Sequence, residues 1–238
     1  MPVFRDFLNE AILSFFFPPV CTCCATLLDS SAGLLCPACQ SRVRTLTRED
    51  PLFSLAHQRL CGDGLCSDVV SAYRFEKDGP VQTLMHALKY RGGTLVGRLL
   101  GALLGELVSQ RNWVHTVEVI VPLPLHRARL RERGYNQAEL FARGVADVLG
   151  LPISTSGVRR TRWTHSQTTL GYAERQENVQ SAFEVSPRKR GALQGRKVLL
   201  VDDVITTGAT LRACATALVG ETGCTVYAAS VALADQDN

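Results

Sequence analysis

The chain has 238 residues, with 26 Lys plus Arg against 22 Asp plus Glu, a formal charge of +4 and 46% hydrophobic residues. That length and apolar share are enough for one medium domain with a small appendage, and they exclude a disordered or repetitive chain. The small net charge excludes a protein that coats nucleic acid by its overall charge, so basic chemistry has to sit in local clusters.

Residues 4–20 are apolar but carry Asp6 and Glu10 and end at Pro18-Pro19. This pattern predicts a short docking helix, because a signal peptide needs a basic start and an uninterrupted apolar middle. No later stretch reaches membrane-spanning length. The expectation is therefore a cytoplasmic protein with no membrane insertion, in which the nine cysteines are not disulfides.

Cys21-x-x-Cys24 and Cys36-x-x-Cys39, with Gly33 in the segment between, have the spacing of two knuckles closing one tetrahedral zinc site. Cys23 competes with Cys24 for the same role, although the two-residue gap favours Cys24. Residues 25–35 contain no Lys or Arg, which favours a structural clasp over a nucleic-acid contact. Cys61 and Cys66 form a looser pair that is given no second metal, and Cys214 and Cys224 read as packed residues. The expected division is residues 1–66 as docking helix and zinc module and residues 67–238 as an α/β domain.

Gly79 to Tyr90 predicts a helix burying Val81, Leu84, Met85 and Leu88, with Lys89 and Arg91 at its end. Those two cations serve either phosphate binding or a C-cap that complements the helix dipole. His86 reads as a surface or packed histidine. Val117 to Leu123 predicts a strand halted by Pro122 and Pro124. It is followed by Arg127, Arg129, Arg131 and Arg133, then Gly134, then a helix opening at Asn136 with a capping-box-like Glu139. Phe141, Val145 and Val148 fall on one face of that helix. Pro152 to Val158 predicts a further, weaker strand. Arg159-Arg160-Thr161-Arg162 is dense in guanidinium groups that suit phosphates, whereas Arg188-Lys189-Arg190 beside Pro187 reads as a solvated loop. Thr161 to Phe183 is polar and long, which marks either a lid or a surface hairpin.

The most informative run is Val198-Leu199-Leu200-Val201-Asp202-Asp203-Val204-Ile205-Thr206-Thr207-Gly208-Ala209-Thr210. Four apolar residues predict a strand buried on both faces, and two acids at its carboxyl end must face a cleft. The Thr-Thr-Gly-Ala-Thr loop can wrap a phosphate with backbone N–H groups and hydroxyls where a helix begins. Leu211, Cys214, Ala215, Leu218 and Val219 recur at the period of that helix. Asp202 and Asp203 would accept from vicinal sugar hydroxyls, directly or through a metal, while Thr206, Thr207, Gly208, Ala209 and Thr210 hold a 5-phosphate. Thr225 to Leu233 predicts the last strand.

This run resembles the fingerprint of the type I phosphoribosyltransferases. The order of the blocks, from the cysteine head through His86-Ala87-Leu88-Lys89-Tyr90-Arg91-Gly92, Val121-Pro122-Leu123-Pro124 and Arg133-Gly134-Tyr135-Asn136-Gln137-Ala138 to the terminal run, is similar to one branch, the ComF/GntX-like competence proteins. The resemblance implies an α/β fold of the type I phosphoribosyltransferase kind, a parallel sheet flanked by helices, with a small N-terminal four-cysteine zinc module. It implies binding of magnesium phosphoribosyl pyrophosphate. Residues 122–136, with Arg133 foremost and Lys89 and Arg91 assisting, would take the pyrophosphate. Residues 161–183 would be the catalytic loop carrying Gln167, Arg175 and Asn178. Three functions follow from it: support of DNA uptake in natural transformation, with single-stranded DNA and a helicase-like partner; an active phosphoribosyltransferase with an unknown nitrogen acceptor; or a catalytically silent sensor of a nucleotide precursor. Tyr90, Tyr135, Trp163 and Tyr172 are the stacking platforms available to a single strand.

Overall fold

Strands that are apolar without alternation have to be covered on both faces, and that requirement organises the chain. The computed structural model describes residues 19–28, 33–90, 93–161 and 182–235, with positions 89 and 90 described at the backbone alone. Its elements run α1 (Pro37–Gln40), α2 (Pro51–Cys61), β1 (Cys66–Phe75), α3 (Pro80–Tyr90), α4 (Thr94–Ser109), a 3-10 turn (Val114–Thr116), β2 (Val119–Pro122), α5 (Arg127–Arg133), α6 (Gln137–Leu149), β3 (Val158–Arg160), β4 (Phe183–Val185), α7 (Arg190–Leu193), β5 (Lys197–Ile205), α8 (Ala209–Thr222) and β6 (Thr225–Ala234). The expected docking helix over residues 4–20 falls almost wholly outside the described residues.

A parallel sheet has the order β1-β6-β5-β2. Its register aligns Val119 with Val198, and Asp202 with Ser230, which lies opposite Ser71 on β1. Ser230 donates to the Ser71 hydroxyl at 2.9 Å, so polar groups buried beside the Asp202 row are satisfied within the sheet. Val198, Leu200 and Ala228 face a layer containing Phe53, Ala56 and Leu60 of α2 and Leu211, Cys214 and Leu218 of α8. Leu199, Val201 and Ala229 face the opposite layer, with Leu84 and Leu88 of α3, Leu100 and Leu104 of α4 and Phe141 of α6. The helix α2, which precedes position 66, thus packs in the same core as β5 and α8.

Two expectations change in detail. Pro152 to Val158 is not one strand: Ile153 makes a single parallel bridge to Ile120, the chain turns at Ser154 to Gly157, and Val158–Arg160 then pairs antiparallel with Phe183–Val185. The capping box at Asn136 is half formed. The Asn136 side chain accepts from the Ala138 N–H, but Glu139 pairs with Arg143 at 2.6 Å instead of reaching back.

Helix α6 is placed by a close backbone contact with α4. A side-chain carbon at Gly101 would lie 2.3 Å from the Phe141 carbonyl oxygen, and one at Gly144 would lie 2.2 Å from the Arg98 carbonyl oxygen. Backbone cannot yield as a flexible side chain does, so these glycines set the distance between the helices. Gly101→Ala should therefore destabilise the protein by about 1–3 kcal/mol through overpacking. Gly220→Ala on α8, where nothing lies within 4 Å, should be neutral or slightly stabilising. Thermal melting of the two variants checks this; equal effects would contradict it.

Candidate functional site

The carboxyl edge of the sheet gathers the chemistry. β5 carries Asp202 and Asp203 near its carboxyl end, both partly buried, and each turns onto the backbone that follows it. The Asp203 N–H donates to Asp202 Oδ1 at 2.8 Å and the Val204 N–H to Asp203 Oδ1 at 2.7 Å. These local bonds orient the carboxylates while leaving acceptor capacity on each. Beyond Ile205, Thr206 and Thr207 are exposed, and Gly208 is buried in the left-handed region at φ 77° as the N-cap of α8. A side-chain carbon there would meet Leu60 Cδ2 at 2.8 Å, so both backbone angle and space require glycine. The loop thus presents Thr hydroxyls and the start of a 14-residue helix on one side of the acid pair.

The helix α8 is also tied to the turn after α2. Arg212 binds both Asp63 oxygens, at 3.2 and 2.5 Å, and the Arg59 carbonyl at 2.7 Å. The Arg212 hydrogen bonds hold the Asp63 carboxyl down, from its ordinary 3.8 to about 2. Cys61 and Cys66 nearby are pushed up by burial to about 11 and about 12, which keeps both as neutral thiols.

β2 is the neighbour of β5, so its exit opens on the same edge, as ligand clefts do in open parallel sheets. The Leu123 N–H still donates to the Val201 carbonyl at 2.8 Å, one residue beyond Pro122. The arginine-rich stretch is itself a helix, α5. His126 caps it by accepting from the Ala128 N–H at 3.2 Å, and Gly134 ends it at φ 80°. His126 is shifted toward the neutral form by burial, then by Arg160, Arg131 and Arg127, consistent with its acceptor role. Arg127, Arg129 and Arg131 are exposed, whereas Arg133 turns inward and donates to Gln137 Oε1 at 3.1 Å. Asn136 fixes the turn by donating to the Leu123 carbonyl at 2.9 Å. The Tyr135 hydroxyl donates to the Leu88 carbonyl, which links this turn to α3.

Between these walls lies a cleft of about 190 Å³ lined by residues that include Asp202, Asp203, Thr210, Arg133, Gln137 and Arg160. Acceptors on one strand end face donors from the β2–α6 connection and from β3. Arg160 lies over the Phe183 ring, 5.5 Å from its centroid. Burial lowers its pKa, Asp202 opposes that shift, and Arg129 adds to it. A larger cavity of about 580 Å³ between residues 33–45 and helices α3 and α4 is mostly apolar. Glu106 is its one charged side chain among the described lining residues, so charged-ligand chemistry belongs to the smaller cleft.

Of the residues expected to bind phosphoribosyl pyrophosphate, Asp202, Asp203, Thr210 and Arg133 line the cleft, and Thr206 to Ala209 adjoin it along the chain. Lys89 is the penultimate residue of α3 and its side chain is not described; Arg91, Gln167, Arg175 and Asn178 lie outside the described residues. Arg160, named in the sequence only within a cluster, and Gln137, not singled out there, are the additions. Alternation from the buried Val158 would have pointed Arg160 inward and Arg159 outward.

At the other end, Cys21, Cys24, Cys36 and Cys39 place their sulfurs within 4.8 Å of one another. Tetrahedral zinc–thiolate geometry needs sulfur separations of about 3.8 Å, so the donor set fits the ion. Cys23 points elsewhere, its sulfur 3.7 Å from the Pro80 carbonyl, which assigns the pair to Cys21 and Cys24. Burial raises the Cys21 thiol, but N–H donors from Cys36, Cys24 and Cys23 overcome this and bring it to about 6. Zinc would neutralise four thiolates that otherwise repel one another.

The family model of the phosphoribosyl transferase domain matches residues 136–237. With the parallel sheet and the flanking helices, this makes the molecule a phosphoribosyltransferase-type protein with an added cysteine cluster. Competence protein F of Haemophilus influenzae is 30% identical over 82% of this chain and 89% of its own. The DNA utilization protein YhgH of Salmonella typhimurium is 30% identical over 88% and 94%. The chain belongs to the competence protein F (ComF) family. A solved glutamine phosphoribosylpyrophosphate amidotransferase from B. subtilis matches at 24% identity and TM-score 0.39, over 56% of this chain and 25% of that one. At that score the likeness adds nothing to the assignment.

Two outcomes are expected. Purified protein should carry about one zinc per chain by elemental analysis, lost in Cys36→Ser/Cys39→Ser. Because the Asp63 carboxyl is depressed in the fold, its pairing with Arg212 stabilises above pH 3.8 and is lost as pH falls toward about 2. The stability difference between wild type and Asp63→Asn in urea titrations should shrink over that window; a pH-independent difference would contradict the pairing.

Proposed function

We propose that this ComF-family protein binds magnesium phosphoribosyl pyrophosphate in the carboxyl-edge cleft and supports DNA uptake from the cytoplasm. The observation that carries this reading is the meeting of Asp202, Asp203 and Thr210 with Arg133 and Arg160 in one cleft. A ribose carrying phosphate at both ends needs hydroxyl acceptors in the middle and donors at two ends, and this arrangement offers that order. Asp202 and Asp203 accept from the ribose hydroxyls. Thr206 to Thr210 and the α8 N-terminus take the 5-phosphate, and Arg133 and Arg160 face the pyrophosphate. Magnesium accompanying the ligand would be held from the protein side by Asp202 and Asp203 and would offset phosphate charge.

The names of the two relatives, a competence protein and a DNA utilization protein, support the cellular part of the reading. Exposed Arg127, Arg129 and Arg131, on the helix that ends at the cleft residue Arg133, supply a basic surface for a nucleic-acid backbone. The cysteine cluster serves as a structural clasp. No helix among the described residues is long and apolar enough to cross a membrane.

Asp202→Asn/Asp203→Asn should weaken phosphoribosyl pyrophosphate binding by about 100-fold or more in calorimetry, the loss of two charge-assisted hydrogen bonds, with the melting temperature retained. A strain carrying this variant should lose transformation as a deletion does. Unchanged binding would overturn the ligand assignment, and unimpaired transformation in the deletion strain would overturn the cellular one.

A further inference from the structure

Gln137 is the first residue of α6 and is 3% exposed. Among the described residues the other buried polar or charged ones are Asp68, Ser71, Thr222 and Ser230, and each has a hydrogen-bond partner. Asp68, for example, accepts from Arg48 at 2.6 Å and from the Trp113 indole at 2.8 Å, at the amino end of β1 and away from the cleft. Gln137 differs. Its Oε1 accepts from Arg133 at 3.1 Å, while its Nε2 has no hydrogen-bond partner among the described residues.

The orientation of this amide is chemically fixed. A guanidinium has donors and no acceptor, so Arg133 selects the oxygen and leaves the NH₂ as the remaining group. A buried donor without a partner is costly, and sites that tolerate one commonly reserve it for a ligand. Gln137 lines the cleft beside Arg133, Asn136, Asp202 and Asp203. Its chain neighbours are otherwise engaged: the Asn136 side chain is committed to Leu123 and Ala138, and Glu139 to Arg143. Asp202 and Asp203 line the same cleft, but neither accepts from Gln137 Nε2, which leaves that donor without a partner at the cleft wall.

We propose that Gln137 Nε2 is reserved for an oxygen of a bound diphosphate, and that Arg133 acts partly by holding the amide in that orientation. Resting on the phosphoribosyl pyrophosphate reading of the cleft, this assigns the diphosphate end to the Arg133–Gln137 pair and makes that pair the means of telling a ribose with a diphosphate at C1 from one without. Gln137→Glu keeps the acceptor for Arg133 but puts an anionic oxygen where the donor was. Gln137→Leu removes both groups at similar size.

Calorimetry on the full chain with magnesium, comparing phosphoribosyl pyrophosphate with ribose 5-phosphate, tests this. Gln137→Glu should lose about tenfold or more in affinity for phosphoribosyl pyrophosphate, the scale of one hydrogen bond to a charged group, while its ribose 5-phosphate affinity stays within about twofold of wild type. Gln137→Leu should show the same split, since it too lacks the donor. Affinity for phosphoribosyl pyrophosphate unchanged in both variants would overturn the inference, as would equal losses for the two ligands, which mark a general packing role. A wild type that binds both ligands equally well also overturns it while leaving the cleft reading intact. If wild type binds neither ligand, the cleft reading falls and this inference with it.

Discussion

Two consecutive acids at the end of an interior strand are the constraint around which the rest of the molecule is arranged. Asp202 and Asp203 follow four residues that are fully buried, so the chain carries two negative charges straight out of the core at the sheet's carboxyl edge. Such charges are costly to bury unless something opposes or binds them. The fold places helix N-termini and guanidinium groups around them: α8 begins five residues beyond Val204, α6 begins across the cleft, and Arg133 and Arg160 face in from two further elements. The same sheet treats its buried acid at the amino edge differently. There Asp68 is closed off by Arg48, Trp113 and His57, which makes it a structural group.

The supports of the cleft are distributed over the chain. Gly208 lets the loop of residues 206–210 sit on Leu60 of α2, and Arg212 ties the following helix to Asp63. Gly101 and Gly144 set α6 against α4, which in turn fixes where Asn136, Gln137 and Arg133 stand. A change at any of these positions would reach the cleft through backbone displacement with no contact to ligand. The cysteine cluster is stabilised separately: a short segment with little core of its own is closed by four sulfurs and by its contact with Pro80 of α3.

Much of this was legible because it is local. The strand, acid pair, threonine loop and helix lie within one run, and the cysteine pairs announce themselves by spacing, so neither needs tertiary information. The elements over 79–90 and 225–233 follow from periodicity alone. Other features depend on distance in space. Within Arg127 to Arg133 the place of Arg133 before the turn glycine already set it apart, but its partner Gln137, which accepts from it, shows only in the fold. The arginine stretch becomes a helix because His126 caps it, a role that composition does not reveal. Pro152 to Val158 looked like one strand, but a turn at Gly157 lets its first part extend the parallel sheet and its last residue begin the antiparallel pair. Gln137 carried no signal, since a glutamine at a helix start is ordinarily solvated.

The central claim is that the crevice between Asp202, the threonine loop and Arg133 holds an activated ribose phosphorylated at both ends. A crystal structure of the protein with phosphoribosyl pyrophosphate and magnesium tests it most directly. Ribose hydroxyls are expected on Asp202 and Asp203, the 5-phosphate on residues 206–210 and the diphosphate beside Arg133. Ligand bound elsewhere, or this crevice filled by the protein's own side chains at saturating ligand, would contradict it.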